Sequence, residues 1–226
     1  TWGGNWANAV RSGFDEKFES ETGIPVVQDQ SNPLQRITKL KVALDGQIYD
    51  AVNLPDTLVN LAVKQGVLET IDRNSPRLTN LADVYPRFVR DHWVAQMFTA
   101  VGIGYNAEQV TNPPASFADL FNPDYAGRIV LPDMNHSIGA YVMLLAALAA
   151  GKEMYDDEAG FEGLKRLADL RPIWSNNDLS APFQTGEAVV GLLYKNQAYS
   201  LIDKGVPVKW VYPEEGAFSL SWGWGI

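Results

Sequence analysis

The chain has 226 residues, of which 46% are hydrophobic and none is a cysteine, and its formal net charge at pH 7 is −9. This length and apolar content support a sizeable core in one large or two small domains. The negative charge argues against nucleic acid or an anionic membrane as the main partner. The lack of cysteine excludes disulfides, thiol catalysis and cysteine-based metal sites.

The ends of the chain and its most apolar run bear on export and membrane insertion. The sequence begins at T-W-G-G-N-W without a signal peptide, so we expect the true N-terminus to lie upstream. The most apolar run, residues 138–150, is shorter than the roughly 20 residues that a membrane span needs. We therefore predict a buried helix there.

The first part of the chain predicts alternating helices and strands. Asn5 can cap a helix that starts at Trp6, with Ala7, Val10, Phe14 and Phe18 on its buried face. The elements after it are a strand at 24–28, a helix opened by Asn32, a strand at 49–54, and a helix that starts at Pro55 and stops at Gly66. This alternation predicts an α/β lobe with a largely parallel sheet.

The stretch Trp93–Asn106 organises the prediction for the whole chain. It is apolar and contains neither proline nor a charged side chain, which predicts a strand. We interpret it as the bridge between two lobes, and residues 219–226 as the return crossing. The predicted lobes are 1–105, with 222–226 returning to it, and 106–221. We expect ligand binding to close them about 101–106 and 221–225, which small-angle scattering would detect as compaction.

The second lobe repeats the same logic. Ser116 and Asp119 form a capping-box-like start to a short helix, and Ser137 is predicted to cap the apolar helix at 138–150. The remaining elements are strands at 128–131, 188–194 and 208–212, a helix at 197–204, and an amphipathic helix with Phe161, Leu164, Leu167 and Ala168 on its apolar face.

Candidate site residues follow from the expected topology, because ligands of open α/β sheets bind beyond the carboxyl ends of the strands. The side chains at those positions are aromatic or polar: Trp2, Trp6, Asp56, Asp133, His136, Tyr194, Trp222 and Trp224. Aromatic faces attract cations, and a carboxylate pairs with an amine. A purely structural role is the alternative, since Asp56 is also typical of a helix cap and Trp and Tyr often lie in the core.

Motifs of catalysis are absent from the sequence. It contains no G-x-S-x-G, H-E-x-x-H, Walker or kinase motif. Asp133, His136 and Ser137 are a nominal triad set, but neighbours in sequence before a helix do not make a triad geometry. The Gly102-x-Gly104 segment lacks the helix that a dinucleotide fingerprint needs after it. We expect no catalytic residue, no metal ligand and no cofactor.

Several motifs together resemble a known family. In chain order they are T-W-G-G-N-W (1–6) with F-D-E-K-F-E-S-E-T-G-I-P-V (14–26), Y-D-A-V-N-L-P-D-T (49–57) with K-Q-G-V-L-E-T-I-D (64–72), V-G-I-G-Y-N (101–106), P-P-A-S-F-A-D-L-F-N-P-D-Y-A-G-R-I-V-L-P-D (113–133) and F-Q-T-G-E-A-V-V-G-L-L-Y (183–194). The ordered set resembles the extracellular solute-binding proteins of bacterial ABC importers. Within them it is most similar to the branch with spermidine/putrescine-binding proteins.

The resemblance implies the fold, the partners and part of the site. It implies the two-lobe type II periplasmic-binding-protein fold, whose last helices of lobe 1 fall outside the sequence given. It also implies a small solute held between the lobes, delivery to an inner-membrane ABC permease, and a periplasmic or lipid-anchored extracellular location. We expect a monomer. The positions that match the cleft residues of polyamine binders are Trp2, Asp56, Asp133, Tyr194 and Trp222.

Two departures leave the ligand open. Trp224 stands where a diamine binder would have an acid, and the segment around His136 lacks a second expected acid. We favour a small solute with one cationic centre, and predict that Asp133→Asn weakens binding by about 1.5–3 kcal/mol. A ferric-ion binder, an anion binder using the helix start after Ser137, and a biosynthetic enzyme on the same scaffold are the alternatives.

Overall fold

The computed structural model describes residues 1, 3–43, 46, 49–176 and 178–226. The chain divides into two compact units. Unit 1 is Thr1–Met97 with Ser221–Ile226, and unit 2 is Phe98–Leu220. The chain leaves unit 1 within one long strand and returns within another. The lobe limits predicted from the sequence, 1–105 with 222–226 and 106–221, stay a prediction.

The helices and strands of unit 1 follow the predicted order except that 24–28 forms no strand and a two-residue strand precedes Trp93. They are α1 (Gly4–Val10), α2 (Glu16–Thr22), α3 (Pro33–Val42), β1 (Val52–Pro55), α4 (Asp56–Lys64), β2 (Val89–Arg90) and the first part of β3 (Trp93–Asn106). The first helix begins at Gly4, so Asn5 lies inside the helix and the predicted Asn5 cap is wrong.

A π-helical turn, Arg11–Asp15, joins α1 to α2 and changes which side chains face inward. A π-turn takes more residues than the 3.6 of an α-turn, so the side chains after it are rotated relative to those before it. Val10 is buried as predicted, but Phe14 is 55% exposed and Phe18 is 45% exposed, while Asp15 is buried. The predicted apolar face is therefore wrong beyond the π-turn.

The segment 24–28 is not a strand in this structure. The backbone N–H of Val26 donates to Glu19 Oε1 at 2.7 Å, and Arg11 holds the same carboxylate through two hydrogen bonds of 2.9 and 2.7 Å. A side chain thus takes the place of a neighbouring strand, and the strand prediction is wrong.

The core of unit 1 forms where α3 and α4 pack on β1. Asn32 and Gln35 cap α3 reciprocally, as the sequence indicated for its start at Asn32. The buried members of the core are Ile37, Val52, Leu54, Val59, Ala62, Val67, Leu68 and Trp93. Strand β1 pairs antiparallel with β8 (Phe218–Gly225), and β2 pairs antiparallel with β3. The predicted parallel sheet is wrong for these pairs, because the neighbour of β1 is the strand that returns from the end of the chain.

Unit 2 is an α/β unit in which parallel pairs do occur. Its elements are the second part of β3, β4 (Ile129–Pro132), α5 (Tyr141–Ala149), α6 (Asp157–Asp169), β5 (Ile173–Ser175), α7 (Ala181–Thr185), β6 (Val190–Tyr194), α8 (Lys195–Asp203) and β7 (Val208–Val211). Strand β4 runs parallel to β5 and β6, and β3 runs antiparallel to β6 and β7. Short 3-10 helices at Phe117–Phe121 and Pro123–Tyr125 precede β4, and the first has the capping box predicted at Ser116.

Two predicted features of the helices in unit 2 are corrected. Helix α5 begins at Tyr141 with Ala140 as its N-cap, so Ser137 does not cap it. Residues between Asp133 and Gly139 form successive turns instead, with His136 N bonded to Asp133 O and Gly139 N bonded to His136 O. These turns delay the start of the helix.

Helix α6 packs on α5 through small residues. Gly160, Gly163 and Leu167 are its buried residues, so the predicted apolar face is confirmed at Leu167 but wrong at Phe161 and Ala168, which are exposed. A Cβ atom at Gly163 would lie 2.5 Å from Cβ of Ala146. The glycines therefore let two helices approach more closely than side chains would allow.

Candidate functional site

The predicted site residues fall into two groups, one in each unit. Trp2 lies outside the described residues. Unit 1 holds Trp6, Asp56, Trp222 and Trp224, and unit 2 holds Asp133, His136 and Tyr194.

Asp56 is the best-defined polar group of unit 1. It is the first residue of α4, directly after β1, and Pro55 is the N-cap of that helix. The backbone N–H of Ser221 donates to Asp56 Oδ2 at 3.2 Å. The other carboxylate oxygen, Oδ1, is buried and has no hydrogen-bond partner within the described ranges. A donor from outside the chain is what this oxygen would require, since a buried acceptor left unpaired is costly.

The electrostatic setting of Asp56 combines burial with one nearby cation. Burial raises the pKa of the Asp56 carboxyl, while the Ser221 N–H and the charge of Arg90 act in the opposite direction. Arg90 Nη1 lies 3.4 Å from the backbone oxygen of Asp56, at the long limit for a hydrogen bond. The guanidinium stands 5.3 Å from the centre of the Trp93 ring.

Arg90 was missed by the sequence analysis. It lies in the two-residue strand β2, and pairing with Trp93 across a tight turn brings it back towards the end of β1. No motif marks it, because neither its neighbours in sequence nor its spacing from Asp56 indicates the contact.

The two tryptophans of β8 lie next to β1. Trp222 pairs with Pro55 and Trp224 pairs with Asn53, and residues two apart in a strand share a face. Trp222 is buried, whereas Trp224 is half-buried and its Nε1 donates to Gln96 Oε1 at 2.9 Å. The pairing places Trp222 beside the β1–α4 junction that carries Asp56, and it gives Trp224 a structural hydrogen bond.

Trp6 is a half-buried residue of α1. Its indole N–H is buried and has no acceptor in the part of the chain that the structure describes. A buried indole N–H normally finds a partner, so Trp6 stays a candidate for contact with a bound molecule.

Unit 2 brings His136 and Tyr194 together. Both are buried, and their ring centres are 5.9 Å apart at an interplanar angle of 34°. The backbone N–H of Ile138 donates to His136 Nδ1 at 3.2 Å, which places the proton of the neutral imidazole on Nε2. Burial raises the pKa of the Tyr194 hydroxyl, so the phenol is neutral at physiological pH.

Asp133 ends β4 and begins the turns that carry His136. Its Oδ1 accepts a hydrogen bond of 2.7 Å from the backbone N–H of Asn135, and its own N–H donates to Ser175 O. This is the local Asx-turn geometry by which aspartate often shapes a loop. It gives Asp133 a structural role in addition to the predicted contact with ligand.

Two arrangements that these residues could form are not seen among the described residues. The nominal Asp133–His136–Ser137 set does not have triad geometry, because His136 Nδ1 accepts from a backbone N–H instead of donating to the carboxylate. Among the described residues, no group of three or more His, Asp or Glu side chains could hold a metal ion. Within unit 1, the group around Asp56 consists of its carboxylate, the ring of Trp222 and the Arg90 guanidinium, which forms no ion pair with a described carboxylate.

The chain thus consists of two compact α/β units joined by two strands, with acidic and aromatic side chains at strand ends. A family model described as bacterial extracellular solute-binding protein matches residues 14–226, so the chain belongs to that family. This confirms the resemblance and the fold class read from the sequence.

The relatives agree with this assignment. The spermidine/putrescine-binding periplasmic protein of Escherichia coli (strain K12) is 29% identical over 225 residues, covering 94% of this chain and 63% of the relative. The thiamine-binding periplasmic protein of Brucella abortus is 33% identical over 119 residues, covering 51% of this chain and 34% of the relative. A solved structure of the Atu4243–GABA receptor has a TM-score of 0.84 and 24% identity, covering 100% of this chain and 70% of that chain.

These matches also bear on location and extent. The matched relatives are periplasmic proteins, which confirms the predicted periplasmic location. No helix within the described ranges has the length and apolar content to cross a membrane. The chain spans about 63% of the length of the polyamine-binding relatives.

Proposed function

We propose that this chain is part of the solute-binding component of an ABC importer and that it captures a small organic solute with one cationic amine for delivery to a membrane permease. In this proposal the protein acts as a monomer and releases its ligand unchanged. The observation that carries the proposal is the buried Oδ1 of Asp56, which has no donor in the described part of the chain.

Burial raises the pKa of Asp56, so ionising this carboxyl costs more free energy than ionising an exposed aspartate. A ligand ammonium would supply the missing hydrogen bond and an opposite charge, and charge-assisted hydrogen bonds are about twice as strong as neutral ones. Trp222, paired with Pro55 next to Asp56, would provide an aromatic wall for the body of the ligand.

The named ligands of the relatives support a cationic solute. Spermidine, putrescine and thiamine all carry positively charged nitrogen. The resemblance to polyamine binders implies an acid at the position of Trp224 in a diamine binder, and the N–H of this tryptophan is bonded to Gln96. A single acceptor at Asp56 therefore favours one ammonium group over two.

The anion and ferric-ion alternatives have less support than a cationic solute. The anion proposal relied on a helix starting directly after Ser137, but α5 starts at Tyr141. Adjacent tyrosines are the usual sign of a ferric-ion site, and the sequence has none.

The test begins with the solute itself. Protein purified from its native source is denatured, and the released small molecules are identified by mass spectrometry. Calorimetric titration with putrescine, thiamine and γ-aminobutyrate then compares the unaltered protein with Asp56→Asn, Asp133→Asn and the control Asp169→Asn, which changes an exposed carboxylate at the end of α6.

The outcomes separate the possible roles of the two acids. Loss of affinity in Asp56→Asn, with the control unchanged, supports the proposal. Loss of affinity in Asp133→Asn alone indicates that the ammonium group of the ligand binds Asp133 in unit 2 instead of Asp56. Unchanged affinity in both variants, with folding intact, refutes a cationic ligand, and release of a chemically altered solute refutes a pure binding function.

A further inference from the structure

Building on the proposed function, we infer that the ligand of the Asp56 site is a zwitterion, an amine that also carries a carboxylate, and that Arg90 is the residue that binds the carboxylate. The observation behind this is the placement of Arg90 and Asp56 at the same end of β1 without an ion pair between them.

The first step is that Arg90 is held in place. Its strand β2 pairs with β3 so that Arg90 is opposite Trp93, and the guanidinium stacks 5.3 Å from the centre of that ring. Trp93 is fully buried, and its Nε1 donates to Leu54 O at 3.1 Å. The guanidinium therefore rests on a fixed aromatic platform beside the last residues of β1.

Most N–H donors of the Arg90 guanidinium have no acceptor among the described residues. A guanidinium offers five N–H groups in a planar fork that matches a carboxylate. The only hydrogen bond that Arg90 makes within the described ranges is the long one to the backbone oxygen of Asp56. It pairs with no carboxylate of the described chain, although acidic residues outnumber basic ones by 27 to 18.

The third step concerns the two opposite charges together. The Asp56 carboxylate accepts from Ser221 N–H, its buried Oδ1 has no hydrogen-bond partner within the described ranges, and the hydrogen bond of Arg90 goes to the backbone oxygen of the same residue. Neither group neutralises the other by direct contact. The ammonium and carboxylate of one zwitterion would complete both sites.

Arg90 would also discriminate between amines. A diamine that places one ammonium on Asp56 would bring its second positive charge into the same electrostatic neighbourhood as Arg90. Like charges oppose such binding, and specificity is often built from a repulsive element of this kind. The same residue would thus favour amino acids and disfavour diamines.

The experiment uses ligands that differ only at the second end. Calorimetry measures γ-aminobutyrate, its neutral amide γ-aminobutyramide and the diamine putrescine, and repeats the set with shorter and longer bodies from β-alanine to ε-aminocaproate. The protein variants are Arg90→Gln, Arg90→Lys and the control Arg77→Gln, which changes an exposed arginine. Thermal unfolding without ligand checks that each variant is folded.

We expect the best amino acid to bind about tenfold or more tightly than its amide and its diamine, since a hydrogen bond to a charged group is of that magnitude. Arg90→Gln should abolish this preference while amine binding remains, and Arg90→Lys should restore part of it. Equal binding of the three ligands, or a preference that survives Arg90→Gln, overturns the zwitterion inference and leaves the proposed amine site intact. Failure of every amine in the series, in all body lengths, counts against both.

Discussion

Binding of the cationic solute should weaken as the pH falls, and Asp56 should be the cause. Burial raises the pKa of its carboxyl above the ordinary value of 3.8, so Asp56 takes up a proton at a higher pH than an exposed aspartate. The protonated form cannot attract an ammonium group. Asp56→Asn imitates this form at every pH while keeping an oxygen that can accept from Ser221 N–H.

The magnitude follows from the one hydrogen bond that changes. Asn at this position removes a charge-assisted bond to the ligand, which contributes about 1.5–3 kcal/mol. The dissociation constant should therefore rise about 10- to 150-fold at neutral pH. The free protein should be affected much less, because losing a favourable charge at the start of α4, about 0.3–1 kcal/mol, is offset by removing a carboxylate whose ionisation burial disfavours.

The sign of the stability change provides a second check. Since the folded-state pKa of this acid is raised, the folded protein binds the proton more readily than the unfolded chain does. The contribution of Asp56 to stability therefore falls as the pH rises from its ordinary pKa through its raised value. The Asn variant lacks this contribution.

The assay is calorimetric titration of the identified solute from neutral pH down to the acid limit of folding, with the unaltered protein, Asp56→Asn and Asp169→Asn. Asp56 is not the group that binds the cation if Asp56→Asn binds the solute as tightly as the unaltered protein does, or if the affinity of this variant keeps the same pH dependence. Circular dichroism at each pH confirms that the protein measured is folded.

Three further outcomes are expected. Gly163→Ala should lower the free energy of unfolding by about 1–3 kcal/mol, because its Cβ would lie 2.5 Å from Ala146 Cβ. The control Gly13→Ala, whose added Cβ would have nothing within 4 Å, should be neutral or stabilise the protein by about 0.5–1 kcal/mol. Equal effects of the two variants in urea unfolding would contradict the close packing of α5 and α6. Arg36→Ala should lower the free energy of unfolding by about 2–4 kcal/mol, because the buried guanidinium donates to Asn53 O and Ser31 O. Burial lowers the pKa of this guanidinium to about 10. A loss below about 0.5 kcal/mol would show that water replaces the guanidinium as the donor to these oxygens. Trp222→Ala should weaken solute binding more than Trp222→Phe does, and equal affinities of the two variants would place the ring outside the site.

Local signals in the sequence were sufficient for several elements. The uninterrupted apolar run at Trp93–Asn106 predicted β3 with its observed limits, because no proline or charge breaks the pattern. The capping boxes at Asn32 and Ser116 are contacts between residues three apart, and so the sequence alone contains both partners.

Predictions failed where a local pattern met a constraint from elsewhere in the chain. The π-turn at Arg11–Asp15 exposes Phe14 and buries Asp15, whose carboxylate accepts from Gln28 Nε2 at 2.6 Å. A helical wheel assumes 3.6 residues per turn throughout and cannot anticipate this change of phase. In the same way, the turns from Asp133 to Gly139 moved the start of the helix that Ser137 was expected to cap to Tyr141.

Some features of the candidate site were indicated by the sequence, and others were decided only by tertiary contacts. The sequence by itself determined the family, through motifs in a fixed order, and drew attention to Asp56 and Trp222 because both follow or form predicted strands. Only the tertiary structure decided that Ser221 N–H holds one oxygen of Asp56, that the other has no donor in the described chain, and that Arg90 stands beside it. These contacts join residues 165 and 34 positions apart, and such pairs are set by how the strands pack, for which neighbouring residues carry no signal.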